Sequence, residues 1–414
     1  MSITRRVFLR NSVLAVVGTT AVPAFLTRAA FGAVETGGRT RRLVVIFQRG
    51  AADGLNIVVP HGEPSYYTMR PSINIPRNRV IDLDGFFGLH PALSSFQPLW
   101  QQGHLAIVHA AGSPDPTRSH FDAQDFMESG TPGVKATEDG WLNRTLRGLP
   151  GPAANSSFRA IAMGPSLPRI LSGSEPAVAM NNINDFGVGG RNPSAVPIAN
   201  TFEAMYDQSV DSVLHGSGQE TFDAVKMLKS ADPAKYKAAP GADYPPGRFG
   251  DSLRQLAQLI KANLGVQVAF ADIGGWDHHV NEGNTEGQIA NVLREFSGSL
   301  SAFWIDLGDL AEDTVVVTMS EFGRTARENG NRGTDHGHAN VMFVMGGPVK
   351  GGKVYGRWPG LDQSQLYEGR DLALTTDFRQ VIGEGVYRHL ANKNLDQVFP
   401  GFESQPGRFL NFLG

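Results

Sequence analysis

Cysteine is absent from this chain of 414 residues, and its absence excludes several kinds of chemistry. Without a thiol, the protein can form no disulfide bond, no thiolate metal site and no cysteine nucleophile. An apolar run of about 18 residues is also lacking beyond Ala33, so no transmembrane span is predicted there. The hydrophobic share of 41 % and the charged share of 19 % are those of a globular protein with a large core.

The N-terminal segment, residues 1–32, is predicted to be an export signal. Arg5 and Arg6 belong to a twin-arginine pattern, residues 12–26 form a modest apolar stretch, and small residues stand one and three positions before a cleavage site at Ala33. An ordinary Sec signal and a short buried helix are the alternatives. The twin-arginine pattern predicts a periplasmic or secreted protein.

Charge also restricts the partners of the exported protein. Removal of residues 1–32 takes away four arginines and no acids, which leaves 33 basic and 40 acidic side chains. The formal net charge therefore moves from −3 to −7. Such a surface argues against nucleic acid as a partner.

The apolar runs of the chain predict an α/β fold. Strands are predicted at residues 43–47, 105–109, 160–163, 266–271, 314–318 and 341–345. Apolar residues at a helical period predict helices at residues 252–264, 289–307 and 377–390. Fully apolar strands that alternate with helices indicate a mainly parallel sheet with helices on both faces. We predict one such domain over residues 41–414, with insertions around residues 181–250.

Two loops that follow predicted strands carry an acid and a hydroxyl. Asp53 comes after the strand at 43–47, either as a metal ligand or as the residue of a simple Asp-Gly turn. Ser119 and Asp122 fit a capping box that opens a helix at 121–128. The free N–H groups of a helix start also suit a phosphate or a sulfate. Beside a metal, the Ser119 hydroxyl is then a candidate nucleophile.

A third loop follows the strand at 266–271 and combines an acid with two histidines, Asp277, His278 and His279. Neighbouring side chains point in different directions, so Asp277 and His279 are the preferred pair for one metal. A surface turn is the alternative interpretation. With Asp272, the segment offers four potential ligands beside a strand end, which favours the metal.

A fourth loop, residues 318–338, follows the strand at 314–318. Glu321 lies where the strand ends, and Asp335, His336 and His338 supply further ligands. Arg324 is a candidate charge-assisted clamp on an oxyanion, or else the partner of Glu321 in an ordinary i,i+3 pair. Because open α/β sheets gather their chemistry at the carboxyl ends of strands, the four loops predict one site. Their oxygen and imidazole ligands suit zinc, manganese or calcium better than copper.

These motifs, taken in order, resemble a bacterial family of unknown function that is exported by the twin-arginine route, DUF1501. The resemblance extends over about residues 40–413 and rests on the segments 49–56, 89–93, 119–121, 274–279, 320–325, 335–337 and 375–379. The family implies no established reaction. It is in turn similar to the alkaline phosphatase and sulfatase superfamily, which implies an alkaline-phosphatase-like fold.

The superfamily resemblance implies a role for each candidate residue. It implies Ser119 as the nucleophile. In a hydrolase of this kind, we expect Arg324 or Arg49 to stabilise charge on the equatorial oxygens. His336 resembles the final ligand better than His338 does. The sequence departs from the superfamily where Glu321 replaces an aspartate and Phe322 a histidine. The implied metal ligands are Asp53, Asp277, His279, Glu321 and His336.

The leading functional hypothesis is an exported metal-dependent hydrolase of phosphate or sulfate esters, acting on a small-molecule or polysaccharide ester. One alternative is a non-catalytic exported module on the same fold that binds a polysaccharide or a partner protein. Another is a metal-free serine hydrolase built on Ser119, although no G-x-S-x-G motif surrounds this residue.

Overall fold

A computed structural model describes residues 6–10, 13–17, 39–149, 156, 158–183, 228, 236–403 and 405–414, the first two segments by their backbone alone. The strands are β1 Arg6–Arg10, β2 Val13–Val17, β3 Arg42–Gln48, β4 Val58–Val59, β5 Ile81–Asp82, β6 Gly88–Leu89, β7 Leu105–Gly112, β8 Ala160–Met163, β9 Val178–Met180, β10 Val268–Ile273, β11 Thr314–Met319, β12 Asn340–Gly346, β13 Lys353–Tyr355 and β14 Thr376–Asp377.

Helices lie between many of these strands. They are α1 Gly54–Ile57, α2 Pro64–Met69, α3 Gln97–Gln101, α4 His120–Ser129, α5 Trp141–Leu146, α6 Arg248–Lys261, α7 Gln288–Leu307, α8 Phe378–Glu384 and α9 Leu395–Val398. Short 3-10 helices cover Pro91–Phe96, Arg169–Leu171, Gly308–Asp313 and Pro406–Arg408, and a π-helical turn, Gly385–His389, extends α8.

Nine strands form one mixed sheet in the order β13-β7-β12-β11-β3-β10-β8-β9, with β14 also paired to β7. Strand β12 is antiparallel to both of its neighbours, β7 and β11. The other pairings in this sheet are parallel. The predicted α/β fold with a mainly parallel sheet is therefore confirmed.

Two hydrophobic cores cover the two faces of this sheet, because successive strand residues point to opposite faces. Val44 and Ile46 of β3 belong to the core that includes α6 and α7. Leu43, Val45 and Phe47 belong to the opposite core, which includes α5, α8 and α9. Both faces of β3 are thus fully buried, which explains why this strand is an uninterrupted apolar run.

The predicted elements are found close to their expected bounds. All six predicted strands are present, and the largest differences are that β7 ends three residues later and β10 begins two residues later than predicted. The long helix α7 buries Ile289, Leu293, Phe296, Leu300 and Phe303 on one side, as its period predicted. The run at 341–345 is a strand, but it is antiparallel, which an apolar pattern does not reveal.

One edge of the sheet collects all the loops with chemical groups. Strands β3, β7, β10 and β11 are parallel to one another, so their carboxyl ends meet at this edge. Because β12 is antiparallel, its amino end lies at the same edge, together with the segment that precedes it. The loops that contain Ser119, Asp277, Glu321 and His336 therefore converge.

Two predictions fall mostly outside the described residues. Strands β1 and β2 pair with each other inside the predicted signal segment, and the rest of that segment is not described. Most of the predicted insertion around residues 181–250 is likewise not described. Within the described residues, no helix combines the length and the apolar character needed to cross a bilayer.

Candidate metal centre

Three histidines and one aspartate converge at the carboxyl edge of the sheet. The Nε2 atom of His336 lies 3.0 Å from Nε2 of His120 and 2.9 Å from Nε2 of His279. The Asp277 carboxylate has an oxygen within 3.6 Å of each of these nitrogens. We call these four side chains the histidine cluster. They come from loops after β7, β10 and β11, which are far apart in the chain.

An acceptor orients each imidazole of the histidine cluster through its other ring nitrogen, Nδ1. The acceptors are Oε1 of Glu321 for His120 at 2.8 Å, Oδ1 of Asp335 for His279 at 3.1 Å and the carbonyl oxygen of Arg118 for His336 at 2.9 Å. A carbonyl oxygen and an ionised carboxylate accept hydrogen bonds and do not donate them. Each Nδ1 therefore carries a proton, and a neutral ring then directs its Nε2 lone pair into the cluster.

Lone pairs that face one another at this spacing require a cation between them, either protons or a metal ion. In tetrahedral zinc sites the nitrogens lie about 2.0–2.1 Å from the metal and therefore about 3.3 Å apart, close to the observed separations. Acceptors on the distal ring nitrogen are the usual outer partners of metal-bound histidines. His120, Asp277 and His336 each offer a ligand atom, all within 4.8 Å of one another. These three donors thus fit a divalent metal, and Nε2 of His279 lies beside Nε2 of His336 as a further candidate ligand.

Glu321 is a buried carboxylate that acts on the histidine cluster through His120. Its Oε1 accepts hydrogen bonds from Nδ1 of His120 at 2.8 Å, from the backbone N–H of Gly50 at 2.8 Å and from the side-chain amide of Gln124 at 2.9 Å. Burial raises the pKa of Glu321, but these hydrogen bonds outweigh it and the pKa lies below its usual value. The hydrogen bond that His120 donates to Glu321 in turn raises the pKa of His120.

Arg324 is buried and holds the loops around the histidine cluster together. Its guanidinium donates to the carbonyl oxygens of Gly50, Ala51, Trp276 and Thr334 and to Oδ1 of Asp277 at 2.5 Å. Burial raises the pKa of Asp277, but the hydrogen bond from Arg324 outweighs this effect, so the pKa lies below its usual value and the carboxylate stays ionised. Arg324 pairs with Asp277 and not with Glu321, which excludes the i,i+3 interpretation.

The loop after β3 needs glycine at position 50 because it passes very close to Asp277. Gly50 has φ +116°, and a Cβ atom on it would lie 2.9 Å from the backbone nitrogen of Asp277. Ala51 follows with φ +63°, an uncommon value for a non-glycine residue. The bonds from Arg324 to both carbonyl oxygens hold this strained turn in place.

Asp53 belongs to a second group of ionisable residues, which is fully buried. Arg70 donates two hydrogen bonds to its carboxylate, one of them to Oδ1 at 2.9 Å. Glu282 is also buried here, and it accepts from Asn56 at 3.2 Å and from Thr334 at 2.9 Å. We call the two acids Asp53 and Glu282, together with Arg70, the buried acid pair.

The protonation states within the buried acid pair differ. Burial raises the pKa of Asp53, but Arg70 outweighs this effect, so its pKa lies below the usual value. Burial and the Asp53 charge raise the pKa of Glu282 well above its usual value. The Asp53 carboxylate therefore balances the Arg70 guanidinium, while Glu282 keeps its proton to a higher pH than an ordinary glutamate does.

Arg49 is engaged by three side chains on neighbouring elements. It donates to Asp272 at 2.7 Å, to Gln124 at 2.8 Å and to Glu128 at 2.8 Å. It also lies over the ring of Phe47. Arg49 and Arg324, the two arginines predicted to stabilise charge on a substrate, thus both pair with acids of the protein itself.

Ser119 occupies the N-cap position of α4, but its side chain makes no capping hydrogen bond. The predicted capping box is therefore wrong, although the helix begins within one residue of the expected position. The Ser119 side chain is exposed beside His120.

Phe322 is 3 % exposed, and its ring centre lies 5.0 Å from those of His120 and His336, where it supports both imidazoles.

The structure brings together three of the five predicted metal ligands, Asp277, His279 and His336. It places Asp53 against Arg70, and Glu321 behind His120. His338 is buried and stacks on Tyr367, with ring centres 4.2 Å apart, so it lies outside the histidine cluster.

Sequence reasoning missed His120 as a ligand. It drew attention to the preceding residue, Ser119, because of the capping pattern. The available signal was a histidine in the loop after β7, since β7 ends at the same edge as β10 and β11. Only the strand order reveals that this edge is shared.

The fold and the histidine cluster together define an α/β protein with a histidine- and aspartate-rich centre at the carboxyl edge of its sheet. Residues 104–398 match the family of proteins of unknown function DUF1501. This is most of the chain, which therefore belongs to that family. The match covers a narrower range than the resemblance had suggested. No curated protein matches the chain.

Several solved structures are similar at low identity. The zinc complex of the C-terminal periplasmic domain of EcEptC from Escherichia coli is 9 % identical, with 75 % of this chain and 74 % of that chain covered and a TM-score of 0.36. The PsFucS1 sulfatase from Pseudoalteromonas sp. is 13 % identical, with 80 % and 67 % covered and a TM-score of 0.35.

A protein in the alkaline phosphatase superfamily from Vibrio parahaemolyticus is 10 % identical, with 78 % of this chain and 67 % of that chain covered and a TM-score of 0.27. Scores this low are no basis for assigning an activity.

Proposed function

We propose that the protein is an exported metal-dependent hydrolase of phosphate or sulfate esters, with the histidine cluster as its metal site. The observation that carries this proposal is the convergence of three imidazole Nε2 atoms on Asp277, each ring oriented by an acceptor on Nδ1. A purely structural histidine needs no such arrangement, since the backbone can satisfy both of its ring nitrogens, as it does for His90 and His109.

The ligand set favours zinc among the divalent metals. His120, His279 and His336 supply three nitrogens and Asp277 supplies oxygen, whereas calcium takes six to eight oxygen ligands. Glu321 and Asp335 serve as outer partners that keep the imidazoles oriented. Asp53 is assigned no ligand role in this proposal because Arg70 occupies its carboxylate.

The site is open enough to admit a substrate. The side chains of His120 and His336 are about a quarter exposed, at 25 % and 24 %, and that of Asp277 is 47 % exposed. A bound divalent ion polarises an ester oxygen and lowers the pKa of a nearby hydroxyl or water. The exposed Ser119 hydroxyl is the candidate nucleophile, with water as the alternative. Arg324 acts by holding Asp277.

Metal analysis of the purified protein tests this proposal. We expect one tightly held zinc ion, lost in the double variant His120→Ala/His336→Ala. His104→Ala is the matched control, because His104 is a half-buried imidazole that precedes β7 and so lies at the opposite edge of the sheet. A folded wild-type protein that retains no divalent metal after metal-supplemented purification would overturn the proposal.

Turnover of chromogenic phosphate and sulfate esters by the zinc-loaded protein tests the hydrolase assignment. Ser119→Ala separates the two nucleophiles: loss of turnover with zinc retained assigns the attack to the hydroxyl, and retained turnover assigns it to water. Within the described residues no hydrogen bond joins the Ser119 hydroxyl to an imidazole, so the metal-free serine hydrolase has no geometric support.

A second candidate function is a non-catalytic metal-dependent binding module. The partners of Arg49 and Arg324 favour it, because neither guanidinium is free to stabilise charge on a substrate. Zinc retention without turnover of any phosphate or sulfate ester, together with binding of an anionic polysaccharide, would support this module over the hydrolase.

A further inference from the structure

Large hydrophobic side chains that face solvent are concentrated around the histidine cluster. Among the described residues, the exposed ones are Phe121 at 90 %, Val280 at 51 %, Val134 at 49 % and Ile305 at 43 %. Phe121 directly follows the ligand candidate His120, and Val280 directly follows His279. Val134 belongs to the same side, because its neighbour Lys135 forms an ion pair with Asp122 of α4 at 2.7 Å.

The backbone that carries Phe121 and Val280 is held in place by regular structure and hydrogen bonds. Phe121 lies in the first turn of α4. The carbonyl oxygen of Val280 accepts a hydrogen bond from the side chain of Gln288 at 2.7 Å. The next residue, Asn281, donates to the carbonyl oxygen of Asn331 at 2.9 Å, in the loop that leads to His336. The apolar surface beside the cluster is therefore preformed.

Ile305 provides the contrast. It lies near the end of α7, a helix of 20 residues that begins after the His279 loop and spans about 30 Å. The end of α7 leads through a 3-10 turn to the amino end of β11, at the opposite edge of the sheet. Three of these four exposed hydrophobic residues thus lie on the side of the sheet that carries the histidine cluster, and Ile305 lies at the opposite edge.

We propose that Phe121 and Val280 form an apolar rim that binds the hydrocarbon part of an amphipathic anion whose phosphate or sulfate head lies at the histidine cluster. This inference rests on the proposed function and specifies its substrate class. With a divalent metal bound, a centre bordered by these two apolar side chains complements a ligand that has a charged head and an apolar group. Exposed apolar surface beside a polar centre is characteristic of binding sites.

Calorimetric titration of the zinc-loaded full chain with inorganic phosphate, butyl phosphate and octyl phosphate tests this inference. We expect octyl phosphate to bind at least tenfold more tightly than butyl phosphate, because further methylene groups leave water. Phe121→Ser should reduce the affinity for octyl phosphate at least fivefold and leave the zinc content and the affinity for inorganic phosphate unchanged. Ile305→Ser is the matched control and should change none of these quantities.

The outcomes separate this inference from the proposed function. Binding of inorganic phosphate without any dependence on chain length would overturn the rim and leave the proposed function standing. Chain-length dependence that Phe121→Ser removes, in a protein that retains no metal, would keep the rim and overturn the metal site. Adsorption to phosphatidylcholine vesicles that Phe121→Ser abolishes, with equal affinity for the two alkyl phosphates, would assign the rim to a lipid surface and overturn the small ligand.

Discussion

The histidine cluster and the buried acid pair are both groups of ionisable side chains, but the charge of their carboxylates is balanced in different ways. In the buried acid pair, Arg70 is fully buried and donates two hydrogen bonds to Asp53. In the histidine cluster, the groups that meet are lone pairs of imidazole and carboxylate, and the side chains are a quarter to a half exposed. One group contains its own cation, and the other is arranged to receive one.

This difference shows why acids at the end of a strand do not by themselves define a metal site. Asp53 and Asp277 follow neighbouring strands of the sheet, β3 and β10. The Asp53 carboxylate pairs with Arg70, which directly follows α2. The Asp277 carboxylate lies beside three imidazoles and receives a single hydrogen bond from Arg324. The partner that folding brings to each carboxylate decides its role.

The largest expected effect is on the buried acid pair. Arg70→Leu should lower the free energy of unfolding by about 3–5 kcal/mol, because it leaves the Asp53 carboxylate buried without its partner. Urea unfolding measures this loss. Arg254→Leu, which breaks an exposed pair with Asp251, is the control and should cost at most about 1 kcal/mol. An equal loss in the two variants would contradict the assignment of Asp53 to a structural ion pair.

The next effect concerns the outer partner of His120. Glu321→Gln keeps the size of the side chain but removes the charge that raises the basicity of the imidazole. Zinc affinity, measured by competition with a chelator, should fall about 10–100-fold. Glu282→Gln should leave zinc affinity unchanged, since Glu282 lies in the buried acid pair. A loss in Glu282→Gln as large as that in Glu321→Gln would show that the two groups are not independent.

The pH dependence of stability provides a third test. Glu282 has a folded-state pKa well above its usual value, so its contribution is complete below about pH 4.3 and is lost as pH rises towards the folded-state pKa. Asp53 has the opposite shift, and its contribution is lost only as pH falls through its lowered pKa.

Above about pH 6, Asp53 is ionised in both states, so within the buried acid pair only Glu282 should still change its contribution as pH rises. We expect Glu282→Gln to remove a decline of about 1.4 kcal/mol per pH unit from the free energy of unfolding. Denaturant titrations at several pH values measure the slope. Identical slopes in the wild-type protein and the variant would contradict the protonated state of Glu282.

The smallest effect is expected at Asp335, the outer partner of His279. Its side chain is 57 % exposed, so water can replace much of its interaction with the imidazole. Asp335→Asn should therefore weaken zinc binding less than tenfold and less than Glu321→Gln does. Chelator competition on both variants gives the ranking, and the reverse order would show that burial does not control the strength of the outer partners.

The sequence predicted the fold well because its strands are buried on both faces. Strands β3 and β11 are uninterrupted apolar runs, and α7 repeats its apolar residues at a helical period. The short edge strands β9, β13 and β14 were not predicted. They have only two or three residues each, too few to show a pattern.

The candidate site was only partly predictable. Asp277, His279 and His336 stand out because each follows a strand or precedes the next one. Arg49 and Arg324 were suggested as clamps on substrate charge, since arginine types are suited to that task. Their actual partners are acids and carbonyl oxygens from segments far apart in sequence, and no local pattern reveals such contacts.

By itself, the sequence of this protein determined which segments become buried strands and helices and which loops contain acids and imidazoles. Those properties depend on local patterns of apolar residues and on residue type. Only the tertiary structure decided that His120 joins His279 and His336, that Glu321 lies behind His120, and that Asp53 pairs with Arg70. Strand order and direction bring these groups together, and both result from long-range packing.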